Sequence, residues 1–425
     1  MRSYKNKKRS SEILGILVGG GPAPGINGVI SAVTIEAINE EKKVIGILDG
    51  FKWLAQGDKK HIRNLTIQDT SRIHLTGGSI LGTSRENPTT SHEKMKNVIR
   101  ALKELGVRYL LTIGGDDTMY SASCIELEAK GRLKVAHVPK TIDNDLPLPG
   151  YTPTFGFETA RHLGTRIVQY LMEDAKTTCR WYIVITMGRK TGHLALGIGK
   201  ASGATLTIIP EEFSGVKISI DQLLSVIEGS IIKRLSMGRE DGVAIIAEGL
   251  SEKLDVLELK DLKEVEKDEY GNIRLSEIDL GKVLKNEVKR RLLKKGIKST
   301  VIDKNIGYEL RCAPPIPFDA KYTRDLGYGA IKFLLEGGSG ALISIQAGKM
   351  VPIYFDEIVD PKTGRTKIRP VDINTESYEV AEKYMIKLTK EDFQNQEQIR
   401  RLSHITNMKP SEFVDYFSKA VRESS

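Results

Sequence analysis

The chain has 425 residues, 40% of them hydrophobic and 28% charged, with a formal net charge of +9. That length supports two or three buried cores, and no apolar run nears the ~18 residues of a membrane helix. The basic excess forms no stripe interleaved with aromatics, which argues against nucleic acid and toward small anions, and Cys124, Cys179 and Cys312 lack C-x-x-C spacing, so a reducing cytoplasm without a disulfide framework is expected.

Residues 1–12 carry a cluster of basic side chains and no apolar stretch, which reads as a disordered tail rather than a signal peptide. Short β-branched runs bounded by Gly or Pro then predict strands at 13–18, 44–48, 109–113, 135–138, 181–186 and 205–209. Helical periodicity predicts helices at 25–39, 91–105, 118–130, 157–175 and 191–202. Further strands at 243–247 and 341–345, a charged helix near 281–295, a charged surface insertion over 252–274, a turn at 360–366 and an amphipathic helical segment from 375 complete the pattern. Strand–helix alternation predicts an α/β fold with parallel sheets covered by helices on both faces. Ligands in such folds bind at the carboxyl ends of the strands. No internal repeat is visible, and two similar α/β units sharing a cleft fit the length, with a break near 150–153.

The Gly- and Asp-rich segments fall at those strand ends. Strand 13–18 runs into Gly19-Gly20-Gly21-Pro22-Ala23-Pro24-Gly25-Ile26-Asn27 and a helix. Glycines admit an anion close to the backbone, and a helix N-terminus favours negative charge. Pro24 takes the third glycine position of G-x-G-x-x-G, and no Lys-Ser or Lys-Thr follows Gly25, so neither common nucleotide fingerprint is met. A phosphate cradle and a plain packing turn both fit. Asp49, beside Gly50, reads as a turn residue.

Strand 109–113 ends in Gly114-Gly115-Asp116-Asp117-Thr118, and strand 135–138 in Pro139-Lys140-Thr141-Ile142-Asp143-Asn144-Asp145. Carboxylates at two strand ends can hold Mg²⁺ and deprotonate a hydroxyl. Each loop alone fits capping or turn formation equally well; their pairing beside a glycine turn favours chemistry. Met187-Gly188-Arg189 follows strand 181–186, Glu248-Gly249 follows strand 243–247, and Tyr308-Glu309-Leu310-Arg311 follows a short apolar turn. Arg85 ends Gly77-Gly78-Ser79-Ile80-Leu81-Gly82-Thr83-Ser84-Arg85. Arginines at strand ends suit a phosphate, while a surface ion pair explains any one of them. His193 reads as a helix residue rather than a base.

These motifs, in this order from about Ile13 to Arg369, resemble the phosphofructokinase family. The most specific are Thr141-Ile142-Asp143-Asn144-Asp145, Met187-Gly188-Arg189 and the glycine turn with Ala23-Pro24-Gly25. The resemblance implies two Rossmann-like parallel-sheet domains with the active site in the cleft between them. It places a donor domain at 13–155 plus roughly 312–360, a fructose 6-phosphate domain at 156–311 plus roughly 361–400, and a helical tail at 401–425. It makes Asp143 the base that takes the proton from the sugar 1-hydroxyl, and Asp116 the Mg²⁺ ligand. Thr141 and Asp145 help hold substrate and metal. Met187, Gly188, Arg189, Glu248, Tyr308 and Arg311 bind fructose 6-phosphate. Arg180 matches an arginine contributed across a subunit interface, which implies a homodimer or homotetramer. Gly20, Gly21 and Arg85 cradle the donor phosphates.

Members that use ATP resemble Gly-Gly-Asp-Gly-Ser where this chain has Gly114-Gly115-Asp116-Asp117-Thr118, and carry glycine at the position of Lys140. Both departures match the branch that uses inorganic pyrophosphate. A carboxylate at Asp117 fills and repels where the α-phosphate of ATP would lie. Lys140 supplies positive charge to the transferring or leaving phosphate, with Asp117 as a possible partner. The helix positions that bind an allosteric nucleotide in bacterial ATP-using members are Ser31 and Ile35 here, so no ADP activation is expected. Cys312-Ala313 replaces Gly-Gly beside Arg311. The competing readings are an ATP-dependent member or a sedoheptulose 7-phosphate kinase. A nicotinamide-nucleotide kinase, a non-catalytic subunit and an NAD-dependent dehydrogenase are disfavoured by the full motif set and by Pro24.

Overall fold

A computed structural model of the protein describes residues 12–150, 152–213, 215, 217–255, 258, 278–359 and 366–421. The basic tail except Glu12, all of the charged insertion except residues 252–255 and 258, and the 360–366 turn except Thr366 lie outside the described residues. The chain forms two compact units: residues 1–160 with 309–369, and residues 161–308 with 370–425.

In the first unit the strands are β1 (Ile13–Val18), β2 (Lys43–Ile47), β3 (Ile62–Leu65), β4 (Val107–Gly114), β5 (Lys134–Thr141), β6 (Phe155–Gly156), and, from late in the chain, β11 (Ala341–Gln346) and β12 (Lys349–Tyr354). Their order is β12-β11-β5-β4-β1-β2-β3, with the short β6 beside β5. The central strands are parallel, whereas β3 and β12 run antiparallel to their neighbours. β1 shows why the apolar runs are continuous. Leu14, Ile16 and Val18 enter the core on one face of the sheet, and Leu17 enters the core on the other. A central parallel strand is buried on both faces, so polar alternation is absent.

Around this sheet lie α1 (Ile26–Asn39), α2 (His92–Glu104), α3 (Asp116–Ala129), the start of α4 (Phe157–Thr178), and α8 (Pro317–Leu335), which packs on α1. The chain leaves β1 toward β2 on one side while β4 and β5 lie on the other, so the strand order reverses between β1 and β4. Such a reversal opens a crevice at the carboxyl ends of the strands, and the glycine turn and both acidic loops emerge there.

The second unit holds β7 (Arg180–Thr186), β8 (Leu206–Ile208), β9 (Gly242–Ala247) and β10 (Thr300–Ile306), all parallel, in the order β10-β7-β9-β8. It also contains α5 (His193–Ser202), α6 (Ile220–Ser236) and α7 (Leu280–Lys294). The C-terminal α9 (Glu376–Tyr384), α10 (Gln396–Ile405) and α11 (Pro410–Phe417) follow. Phe413 and Phe417 of α11 are fully buried with Ile232 of α6 and Leu402 of α10.

The strands absent from the sequence reading are β3, β6, β10 and β12. Three of them are sheet edges, where one flank meets solvent and the apolar pattern is diluted. β10 reads Thr-Val-Ile-Asp-Lys-Asn-Ile, and β12 carries Pro352, which an edge position tolerates. β5 runs three residues beyond its expected end, so Lys140 and Thr141 lie in the strand itself. Among the described residues no helix is long and apolar enough to cross a membrane.

Candidate active site

In the first unit the glycine turn is tied to the loop that ends in Arg85. The Gly19 amide donates to the Ile113 carbonyl at 2.9 Å, and the Gly20 amide to the Ser84 carbonyl at 2.8 Å. The Thr83 hydroxyl donates to the Gly20 carbonyl at 2.6 Å. Because the Gly20 amide is committed to Ser84, Gly20 contributes space rather than a donor. Its φ of 80° suits glycine, and an added Cβ would stand 3.3 Å from Lys140 Nζ. At Gly21 an added Cβ would stand 3.4 Å from Cζ of Arg311. The turn is thus faced by two cations. Arg85 is exposed one residue beyond Ser84. Asn27, in the first turn of α1, donates to Thr76 Oγ1 (2.9 Å) and accepts from the Ile80 amide (3.0 Å), pinning the loop that leads to Arg85.

Lys140 is 5% exposed and donates to the Gly21 carbonyl. Burial lowers its pKa to about 8; Arg311 pushes the same way, and Asp143, Asp116 and Asp145 oppose the shift. The ammonium is held at Gly21, and these three carboxylates favour its charged form. Asp116 is half-buried and Asp117 exposed, both in the first turn of α3. Acidic residues there are favourable to the helix dipole. The end of β4 is fixed by His137, fully buried on β5. Its Nε2 donates to the Gly114 carbonyl at 3.0 Å, so Nδ1 accepts from the Thr112 hydroxyl at 2.8 Å. Burial holds this ring neutral, with a pKa pushed down to about 3.

Asp143, Asn144 and Asp145 are all buried. The Asp143 amide donates to Thr141 Oγ1 at 3.0 Å, and the Thr141 carbonyl accepts from the Thr154 hydroxyl at 2.8 Å. Asn144 takes a left-handed φ of 56°, tolerated because a short amide side chain can bond locally; its Oδ1 accepts from the Thr154 amide at 3.0 Å. Among the described residues no three His, Cys, Asp or Glu side chains converge as a metal cage. Asp116, Asp143 and Asp145 all act on the Lys140 ammonium, and carboxylates in such a set are of the kind a hard divalent cation takes together with phosphate oxygens and water.

In the second unit, three neighbouring strands deliver the other predicted residues. Met187-Gly188-Arg189 follows β7, Glu248 follows β9, and Tyr308 follows β10. The Met187 amide donates to the Ile306 carbonyl, and the Glu248 amide to the Thr186 carbonyl, each at 3.0 Å. Glu248 Oε1 accepts from the amides of Gly188 (3.0 Å) and Arg189 (2.8 Å). A carboxylate gripping two successive amides holds Arg189 in its left-handed conformation, φ 50°. Glu211, after β8, caps the Gly192 amide at 3.0 Å, at the start of α5. Tyr308 is 77% exposed.

The structure brings Lys140, Asp116, Asp143, Asp145, Gly20, Gly21 and Arg311 together in the first unit. Met187, Gly188, Arg189 and Glu248 come together in the second. Two further expected sugar-site residues are not among these four. Arg311 belongs to the first unit and lies against Gly21. Arg180 opens β7, at the sheet edge opposite Met187, roughly 20 Å away at strand rise. It pairs with Asp174 at 3.9 Å, so this chain's own Met187 turn is out of its reach. His137, Glu211, Asn27 and Arg369 (described below) were not singled out from the sequence. A polar residue inside an otherwise apolar strand was the only signal, and it marks His137 alone.

The phosphofructokinase family pattern matches residues 13–334. A pyrophosphate--fructose 6-phosphate 1-phosphotransferase from Thermotoga maritima is 54% identical over 408 residues, covering 95% of this chain and 97% of the relative. One of the same name from Naegleria fowleri is 48% identical over 418 residues, covering 96% of each. Among solved structures, Pichia pastoris phosphofructokinase in the T-state aligns with 96% of this chain at a TM-score of 0.66 and 21% identity; the chain spans 39% of that chain's length.

Proposed function

The chain belongs to the phosphofructokinase family, and on that premise we propose that it transfers a phosphoryl group reversibly from inorganic pyrophosphate to the 1-hydroxyl of fructose 6-phosphate. The products are fructose 1,6-bisphosphate and phosphate. The observation that carries the donor assignment is the buried Lys140 ammonium, seated on the glycine turn among Asp116, Asp143 and Asp145. The relatives from Thermotoga maritima and Naegleria fowleri, named for this reaction, support it.

In this reading the first unit is the donor half and the second the sugar-phosphate half. Asp143 accepts the proton of the 1-hydroxyl as that oxygen attacks phosphorus and the bond to the leaving phosphate breaks. Lys140 and Arg311 neutralise charge on the transferring and departing groups, and Arg85 and Gly21 border the far phosphate. Phosphoryl transfer needs mainly positioning and charge neutralisation from a protein. Asp116, with Thr141 and Asp145 near it, would hold Mg²⁺, which when bound screens the phosphate oxygens. Glu248 holds the Gly188 and Arg189 amides and so shapes the Met187–Arg189 turn, leaving the Arg189 side chain to receive the sugar phosphate, with Tyr308 beside it. Asp117, exposed in the first turn of α3, sets a negative charge where a nucleotide would approach. Arg180 serves a neighbouring subunit, so the working unit is at least a homodimer, and the enzyme acts in the cytoplasm.

The test is a coupled assay of purified protein with Mg²⁺ and fructose 6-phosphate, comparing pyrophosphate and ATP at equal concentration. Fructose 1,6-bisphosphate formed from pyrophosphate and little from ATP is expected. Faster turnover with ATP, or preference for sedoheptulose 7-phosphate as acceptor, would replace this reading with one of its alternatives.

A further inference from the structure

The loop after β5 carries the proposed base, yet among the described residues it has no regular structure between Thr141 and Phe155. Something must hold it, because a buried loop leaves carbonyls that need donors. Arg369, the last residue of the first unit and 225 positions from Asn144, supplies them. Its Nη2 donates to the Asn144 carbonyl at 3.0 Å and to Asn144 Oδ1 at 2.6 Å, and its Nε to the same carbonyl at 3.3 Å. Its Nη1 donates at 3.0 Å to both the Leu148 and Thr152 carbonyls. The backbone amide of Arg369 donates to the Asp145 carbonyl at 2.8 Å. The loop therefore wraps one guanidinium, which contacts residues on both sides of the curve. Only arginine offers five N–H donors in a rigid plane; a lysine ammonium cannot reach carbonyls spread in this way.

Asp143 sits between two fixed points. On one side its amide is held by Thr141 Oγ1 on β5. On the other, Asn144 is clamped by Thr154 and Arg369. We infer that Arg369 is a positioning residue for catalysis: its side chain locks the Asn144–Thr152 arc and thereby sets where Asp143 stands, without touching the reacting atoms. This rests on the proposed role of Asp143 as base. Displacing a catalytic group by about 1 Å costs on the order of 100-fold in rate, and the loss should fall on turnover because substrate contacts remain.

The test has two parts. Hydrogen–deuterium exchange on the intact protein, which needs no substrate, compares the parent with Arg369→Lys and Arg369→Met. Exchange at the 143–152 amides should rise at least about tenfold while β1 and β7 are unchanged; unchanged loop exchange would overturn the latch. Kinetics follow in a double-mutant cycle with Asp143→Asn. Arg369→Met should lower kcat about 100-fold with KM values within about threefold in the parent, but cost under about threefold once Asp143 is gone, because both changes remove one function. Losses that multiply, or a change confined to KM, would overturn the inference. If Arg369→Met fails to fold, Arg369→Lys carries the same cycle with a smaller loss. Failure of the parent to use pyrophosphate would count against the reaction assignment alone, since the exchange result is independent of donor.

Discussion

Lys140 offers the sharpest quantitative test. Burial takes its pKa from 10.5 to about 8, which corresponds to about 3 kcal/mol of disfavour for the ammonium relative to water. The unfolded chain binds this proton more tightly than the folded one, so Lys140 lowers stability below pH 8, and that cost is relieved as pH rises from about 8 toward 10.5. A bound pyrophosphate anion beside Gly20 and Gly21 reverses the balance by restoring an opposite charge. With a pKa of about 8, roughly a quarter of the lysine is protonated at pH 8.5 and about nine-tenths at pH 7. Binding that drives it to full protonation therefore takes up about 0.8 of a proton at pH 8.5 and about 0.1 at pH 7. Calorimetric titration of pyrophosphate in buffers of different ionisation enthalpy measures this directly, with Lys140→Met as the control for protons carried by pyrophosphate itself. If the variant binds too weakly to titrate, kcat/KM for pyrophosphate reads the same ionisation and should fall as pH rises through about 8. Proton uptake that is equal at the two pH values in the parent, or equal in parent and variant, would refute a donor role for the buried ammonium.

Asp117→Gly combined with Lys140→Gly should lower kcat/KM for pyrophosphate by at least about 100-fold, the usual scale for losing a charge aimed at a transferring group, and raise relative turnover with ATP; unchanged pyrophosphate efficiency would count against both roles. Glu248→Ala leaves the Gly188 and Arg189 amides without their carboxylate, so KM for fructose 6-phosphate should rise about tenfold or more while KM for pyrophosphate holds. His137, buried neutral with a pKa near 3, gains its proton only on unfolding below about pH 6.5, so it should remove about 2 kcal/mol of stability between pH 6.5 and 4.5; urea melts of the parent and His137→Gln across that range check this. Arg180→Ala and Asp143→Asn chains, each nearly inactive alone, should regain activity when unfolded and refolded together if Arg180 serves a neighbouring subunit; a mixture no more active than its parts would rule that out.

The amino-acid sequence by itself determined the central strands, the glycine turn and both acidic loops. The physics of each is local. A strand covered on both faces must be apolar throughout, as β1 is, and the left-handed backbone at Gly20, close to Lys140, favours glycine. Family motifs such as Thr141–Asp145 and Met187–Arg189 were legible for the same reason, being contiguous in the chain. Edge strands escaped because solvent on one flank relaxes their composition, as in β10 and β12. Tertiary structure alone decided the rest. It buried Lys140 on a carbonyl 119 residues away and set Arg311 beside Gly21 in the first unit. It also brought Arg369 back to Asn144 across 225 residues. Charge, exposure and pKa depend on what the folded chain packs around a group, and no local window contains those neighbours.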